Sequence, residues 1–260
     1  MKFGMPTLLA LESLEENAAL CARLRLAFVE INMNLPEYQV HVLRKHGLPR
    51  PGGIFYTLHL DENLNPFDFN PLVRSAYLQT TLDAIAFARE QGIPVLNMHM
   101  PQGVYFTLPG RKMYLFDRYY DAFITAVREF RTAVAQEIGG SGVKICLENT
   151  VFSGMPRLRS ALEVLLEADC FHFTYDAGHD HSEGGAARAF YQKHQTRLAH
   201  IHLHDAGSAE SHLPLGQGDV DKTAVLETAN RRNCRVVLET KSPEGLLASV
   251  QWLQERNYMA

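Results

Sequence analysis

The stretch Leu198-Ala-His-Ile-His-Leu-His-Asp205, running on through His212 to the turn Gly216-Gln-Gly-Asp219, opens as a β-strand and closes as a loop. Leu198, Ala199, Ile201 and Leu203 supply its apolar positions. His200, His202 and His204 fall between them at a period of two, so three imidazoles project from one face of the strand. Such a face is a poor core surface and a good donor surface, suited to a metal ion or a polar substrate. Any one of these histidines alone reads as a hydrogen-bonded or solvent-facing side chain. Taken together with Asp205 and His212, the trio reads as a metal-binding or catalytic element.

Outward from this stretch, the same strand-then-helix unit recurs. Toward the C-terminus lie a helix over Lys222–Arg232, a strand Arg235-Val-Val-Leu-Glu239 and a last helix over Pro243–Arg256. Toward the N-terminus, strands are predicted at 1–5, 26–32, 54–59, 94–99, 143–150 and 171–179. Helices lie between them: Ser13 to Arg23 (Ser13 and Glu16 spaced as a capping box), Tyr38–His46, a long one ending before Gly92, Phe116–Ile138, Pro156–Ala168 and Gly185–His194. Tyr105, Phe106, Arg111 and Lys112 fall in what reads as an aromatic loop after the fourth strand. Eight strands alternating with helices over short connections imply a parallel sheet closed into a (β/α)8 TIM barrel, an α/β fold, with residues 1–260 as a single domain. The length of 260 residues suits such a barrel, typically ~250 residues. An open doubly wound sheet fits less well, since no Gly-x-Gly-x-x-Gly follows the first strand.

Composition narrows the function classes. A 46% apolar and 21% charged chain is ordinary for a globular enzyme. A formal charge of -4 gives no electrostatic footprint for non-specific nucleic-acid binding. Cys21, Cys146, Cys170 and Cys234 are far apart with no CxxC pair, and read as small buried hydrophobes in a reducing compartment. No basic-then-apolar leader and no long apolar run is present, so the expected setting is cytoplasmic, with no membrane span.

The strand ends carry the chemistry. His59, His99, Glu148, Asp176, His202 and Glu239 stand at or near the C-terminal ends of strands three to eight, with His179 and His212 a few residues beyond such ends. In a (β/α)8 barrel those ends meet at one rim, where the active site is built. A carboxylate ending an apolar strand, as in Ile145-Cys-Leu-Glu148 or Val236-Val-Leu-Glu239, is costly to bury alone, and a bound cation removes that cost.

Leu147-Glu-Asn-Thr150, Tyr175-Asp-Ala-Gly-His179, Ile201-His-Leu-His-Asp205, His212-Leu-Pro-Leu-Gly-Gln-Gly218 and Leu238-Glu239 together resemble the xylose-isomerase-like barrel superfamily. That superfamily includes sugar and sugar-phosphate isomerases and epimerases, and the type IV apurinic-site endonucleases. The resemblance to its isomerase branch implies one divalent ion held by Glu148, Asp176, His202 and Glu239, with Glu148 and Glu239 as the catalytic proton-transfer pair. The resemblance to its nuclease branch implies three zinc ions, adding His59, His99, His179 and His212. The nuclease's Asp-x-His element reads Glu210-Ser-His212 in this chain, which makes Glu210 a further candidate ligand.

A metal-dependent sugar isomerase or epimerase is therefore the first expectation. A Lewis acid polarises a carbonyl while a base moves a proton on the adjacent carbon. Mixed carboxylate and imidazole donors suit Mn²⁺, Mg²⁺, Co²⁺ or Zn²⁺. Arg188, Tyr105 and Phe106 are the candidate substrate contacts, with His179 or Arg188 reaching a hydroxyl. The alternative is a zinc-dependent phosphodiesterase cutting DNA at abasic sites. The acidic loop holding Asp61, Glu62 and Asp68, just after His59, would repel a phosphate backbone, whereas a polyhydroxylated sugar accepts carboxylate neighbours. A non-catalytic metal-binding protein ranks third. The partner expected is thus a small sugar, not nucleic acid, and the resemblance implies a homo-oligomer, dimer or tetramer.

Overall fold

The computed structural model describes residues 1–150, 155–207 and 210–259. Among these, eight parallel strands form a closed barrel: β1 (Lys2–Pro6), β2 (Phe28–Asn32), β3 (Phe55–His59), β4 (Val95–His99), β7 (Lys144–Glu148), β8 (Phe171–Asp176), β9 (Leu198–Leu203) and β10 (Arg235–Leu238). They follow one another around the barrel in chain order, β10 closing onto β1 through the register Phe3↔Val236. The remaining two described strands, β5 (Tyr105–Leu108) and β6 (Arg111–Tyr114), make an antiparallel hairpin outside the barrel. The chain is thus a TIM barrel. Between its strands lie α1 (Leu14–Arg23), α2 (Val40–His46), α3 (Pro71–Gln91), α4 (Leu115–Arg118), α5 (Tyr120–Ile138), α6 (Pro156–Leu165), α7 (Ala177–Ser182), α8 (Arg188–Lys193), α9 (Lys222–Arg232) and α10 (Pro243–Glu255).

The helix ends follow local chemistry. Ser13 accepts the Glu16 backbone N–H at 3.1 Å, as its spacing predicts. The Glu16 carboxylate closes on the N–H of Glu12, one residue earlier than a capping box places it. Asn70 caps α3, Pro71 occupies its first turn, and Gly92 ends it at φ 66°, where a side chain would be strained.

Three elements depart from the sequence expectation. The aromatic loop is a hairpin, turned at Pro109-Gly110 with Gly110 at φ 74°. The helix expected over Phe116–Ile138 breaks at Tyr119 (φ −115°, ψ 48°) into α4 and α5. The strand expected to run to His179 stops at Asp176, whose carboxylate accepts the His179 N–H at 2.7 Å and starts α7.

Side chains alternate across each strand, so Lys144, Cys146 and Glu148 share the inner face of β7, and His172, Thr174 and Asp176 that of β8. Lower in the barrel, Gly4 faces the Phe28 ring, which would lie 2.5 Å from a Cβ there. The outer faces of the strands pack against the helices: Phe171 of β8, for example, has its ring 6.2 Å from that of Phe130 of α5. All four cysteines are free, three of them buried. Among the described residues no helix is long and apolar enough to cross a membrane.

Candidate metal centre

The barrel's strand ends converge. Glu148, at the end of β7 and 1% exposed, is ringed by imidazoles. Its Oε2 lies 3.3 Å from His99 Nε2, 3.4 Å from His202 Nδ1 and 3.7 Å from His59 Nε2, and accepts a hydrogen bond from the Asn97 amide. Its Oε1 lies 3.8 Å from His179 Nδ1. His202 Nδ1 also faces Glu239 Oε2 at 3.1 Å and Asp176 Oδ2 at 4.0 Å. Asp176 Oδ2 stands 3.3 Å from His179 Nδ1, and Asp176 Oδ1 stands 3.2 Å from His204 Nε2. Glu239 Oε1 lies 3.6 Å from His212 Nδ1.

Beneath this ring is a carboxylate to which the sequence reading assigned no role. Glu30, in the middle of β2, is buried and accepts His202 Nε2 at 2.7 Å, His200 Nε2 at 2.8 Å and the Thr57 hydroxyl at 2.9 Å. It therefore fixes His202 with Nδ1 turned toward the rim, as a carboxylate on the far nitrogen of a metal-ligating imidazole does. His200 is spoken for by Glu30 and does not reach the rim. The signal was present: Phe28-Val-Glu-Ile puts a charge inside an apolar strand, as Ile145-Cys-Leu-Glu148 does.

Charge balance follows from these contacts. Burial would raise the Glu148 carboxyl, but His202 and His99 beside it hold it well below the usual carboxylate range. Glu30 and Glu239 are lowered against burial in the same way, by His200 with His202 and by His202 respectively. Burial pulls His59 down, yet Glu148 outweighs it and brings that imidazole up to about 9. Burial pushes His212 down to about 4.

The donor set fits a cation. Asp176 Oδ2, Glu239 Oε2, His179 Nδ1, His202 Nδ1, His204 Nε2 and His212 Nδ1 are all buried without a hydrogen-bond partner. Buried polar atoms are rarely left unmade, and six at one barrel mouth call for a shared positive charge. Four groups at this mouth have donor atoms within 4.8 Å of one another: Asp176–His202–Glu239, Glu148–Asp176–His179, His59–His99–Glu148 and His179–His204–His212. Glu210 belongs to none of these groups; it is exposed, and His204 stands with His179 and His212 instead.

Asp205 also stands outside these groups. Its carboxylate accepts Gly216 N at 2.8 Å, Val220 N at 3.1 Å and Lys222 Nζ at 2.6 Å, and so shapes the loop that carries His212. A cavity of about 150 Å³ opens beside the cluster between Thr7, Leu9, Glu62, His202, Glu239 and Lys241. Arg188 lies elsewhere, 4.0 Å from Asp180, and lines a separate cavity of about 350 Å³ with Tyr175, Gln192 and Arg231. Tyr105 and Phe106 are exposed on the β5–β6 hairpin and are absent from the lining of the mouth cavity.

The sequence matches the family model described as xylose isomerase-like TIM barrel over residues 18–256. The chain belongs to that family. No curated protein matches the sequence. Among solved structures, this xylose isomerase-like barrel is similar to a D-tagatose 3-epimerase-like protein (TM-score 0.75, 22% identity, 99% of this chain and 97% of that one). It is similar to 3-keto-D-glucoside 4-epimerase YcjR from E. coli (TM-score 0.71, 17% identity, 100% of both chains). It is also similar to the IOLI protein with a bound zinc atom (TM-score 0.66, 16% identity, 99% and 96%). At these identities the likeness is one of fold.

Proposed function

We propose that this xylose isomerase-like barrel is a divalent-metal-dependent sugar or sugar-phosphate isomerase or epimerase. The observation that carries the reading is the pair Glu148 and Glu239, which meet the same His202 Nδ1 at 3.4 and 3.1 Å beside a mouth cavity. Two fold neighbours are named as sugar epimerases and one is named with zinc, which supports the same reading.

Glu148, Asp176, His202 and Glu239 would hold the ion; Mn²⁺, Mg²⁺, Co²⁺ and Zn²⁺ all suit these donors. A divalent cation supplies Lewis-acid polarisation of a substrate carbonyl and the hydroxyl next to it. Glu239, which lines the cavity, takes the proton from the carbon beside the carbonyl, and the second carboxylate, Glu148, serves proton return on the opposite face. Glu62 and Thr7 at the cavity edge offer acceptors to sugar hydroxyls. Glu30 keeps His202 oriented throughout.

A panel of ketoses and ketose phosphates, each incubated in D₂O with the Mn²⁺-, Co²⁺- or Zn²⁺-loaded protein, tests this. Deuterium at the carbon beside the carbonyl, with an isomer or epimer formed, is the expected result. No exchange with any substrate or metal would overturn it.

A second reading rests on the two further donor groups, His59–His99–Glu148 and His179–His204–His212. More than one ion at the mouth would suit phosphodiester hydrolysis at abasic sites in DNA, where several cations clamp both oxygens of the displacement. Three zinc ions per chain, with cleavage of an abasic duplex, would favour it; one ion per chain, with no cleavage, would favour the isomerase.

A further inference from the structure

The opposite end of the barrel is cationic. Lys144 and Arg235 begin β7 and β10, the strands whose far ends lead to Glu148 and Glu239. At ~3.3 Å per residue, four residues put Lys144 roughly 13 Å along the strand from Glu148. Around Lys144 and Arg235 a cavity of about 220 Å³ is lined by His172, Arg231, Arg232 and Asn233, and no Asp or Glu lines it. Four permanent positive charges thus meet at one cavity in a chain whose formal charge is -4.

Among the described residues these charges have few acceptors. Arg232 donates to the neutral Gln195 amide oxygen at 2.6 Å. Arg231 donates to Thr228 at 2.9 Å and is 3.8 Å from Glu227, a pair exposed to solvent. Neither Lys144 nor Arg235 has a carboxylate in ion-pair range, and the Arg235 guanidinium lies 5.9 Å from the Phe55 ring. The Nε of Arg235 and the Nδ1 of His172 are buried without a hydrogen-bond partner. A cavity at which four permanent cations meet and no carboxylate stands is a favourable place for an oxyanion.

We propose that this cavity at the N-terminal end of the barrel binds a small oxyanion, namely a phosphate group. Its oxygens answer the forked donors of the arginines and the point charge of Lys144 together. His172, brought down to about 4 by burial and by Lys144, is neutral at pH 7 and adds no further repulsion. The site is independent of the metal centre and does not depend on the proposed reaction.

The test is isothermal titration of the full chain with inorganic phosphate, pyrophosphate and glycerol phosphate at constant ionic strength, chloride serving as the control salt. Saturable binding of phosphate is expected, weakened at least tenfold in both Lys144→Gln and Arg232→Gln and unchanged in Glu148→Gln. In a histidine NMR titration, bound phosphate should raise the His172 pKa. Glycerol phosphate binding as well as phosphate identifies a phosphoester with its organic part in solvent; binding of the inorganic anions alone identifies the free ion. Should Lys144→Gln fail to fold, the rim variant Arg232→Gln carries the comparison. Absence of saturable binding, or binding that survives in Arg232→Gln and is lost in Glu148→Gln, would overturn the proposal.

Discussion

His202 Nε2 lies 2.7 Å from Glu30 Oε1, a contact that joins β9 to β2 across the barrel interior and settles which imidazole nitrogen faces the rim. Glu30→Gln replaces that acceptor with a neutral amide and loosens the tautomer. Metal affinity should fall about 10- to 100-fold, the usual loss when the group orienting a ligand imidazole is removed, with the fold retained. Competition with a chromophoric chelator measures it; an unchanged affinity would remove Glu30 from the support of the site.

Glu148 belongs to two of the donor groups and Glu239 to one. Both Glu148→Gln and Glu239→Gln should abolish proton exchange, a loss of roughly 10²–10⁴-fold if each serves as an acid or base. Glu148→Gln should in addition lose more metal on gel filtration. Elemental analysis of the two variants gives the order, and the reverse order would contradict the central place given to Glu148.

Gly178 has no room for a side chain: a Cβ there would lie 2.0 Å from Cε1 of the buried His204. Gly178→Ala must displace that ring, and with it the His212 N–H that donates to His204 Nδ1 at 2.9 Å. Overpacking of this kind costs about 1–3 kcal/mol. Urea unfolding should show it, while Gly140→Ala, where a Cβ meets nothing, should stay near the parent value.

Asp205 organises the His212 loop, and its carboxyl is kept below the usual range by Lys222 and the Gly216 N–H in spite of burial. Asp205→Ala removes the acceptor shared by Lys222 and the backbone N–H groups of Ala206, Gly216 and Val220. The expected loss is ~3 kcal/mol, the lower end for a broken buried pair, because Lys222 keeps some contact with water. Chemical denaturation measures the change; a loss below 1 kcal/mol on that scale would mean that water replaces the carboxylate.

The unfolded chain takes up a proton on His172 below about pH 6.5, whereas the folded chain, with burial and Lys144 opposing that charge, does so only near pH 4. Between those values the unfolded state binds more protons, so this group's contribution to stability falls as pH drops from 6.5 toward 4 and is flat above 7. His172→Gln should lessen the loss of unfolding free energy between pH 7 and 5. Parallel curves for parent and variant would refute it.

Much of the architecture was legible because a period of two and eight strand–helix alternations leave little choice of topology. The convergence of Glu148, Asp176, His202 and Glu239 then follows from which end of a barrel strand they occupy. What escaped was pairing across long separations. Glu30 meets His202 over 172 residues of chain, and nothing local in Phe28-Val-Glu-Ile announces that partner. The nuclease-branch resemblance made Glu210 a further candidate ligand, but Asp205 and Leu213 bridge across the base of that loop and it is His204 that stands with His179 and His212. Arg188 stands away from the mouth: it lies on α8, beyond α7, and lines the separate cavity with Tyr175 and Gln192.

Asp176 divides its two oxygens between different tasks. Oδ1 receives the His179 N–H and frames the first turn of α7, while Oδ2 is left with no hydrogen-bond partner. The oxygen that keeps the shape is not the one a ligand would recruit, so loading and unloading the centre need not melt the turn that carries His179. A scaffold of this kind could take up or release an ion without first having to rebuild itself.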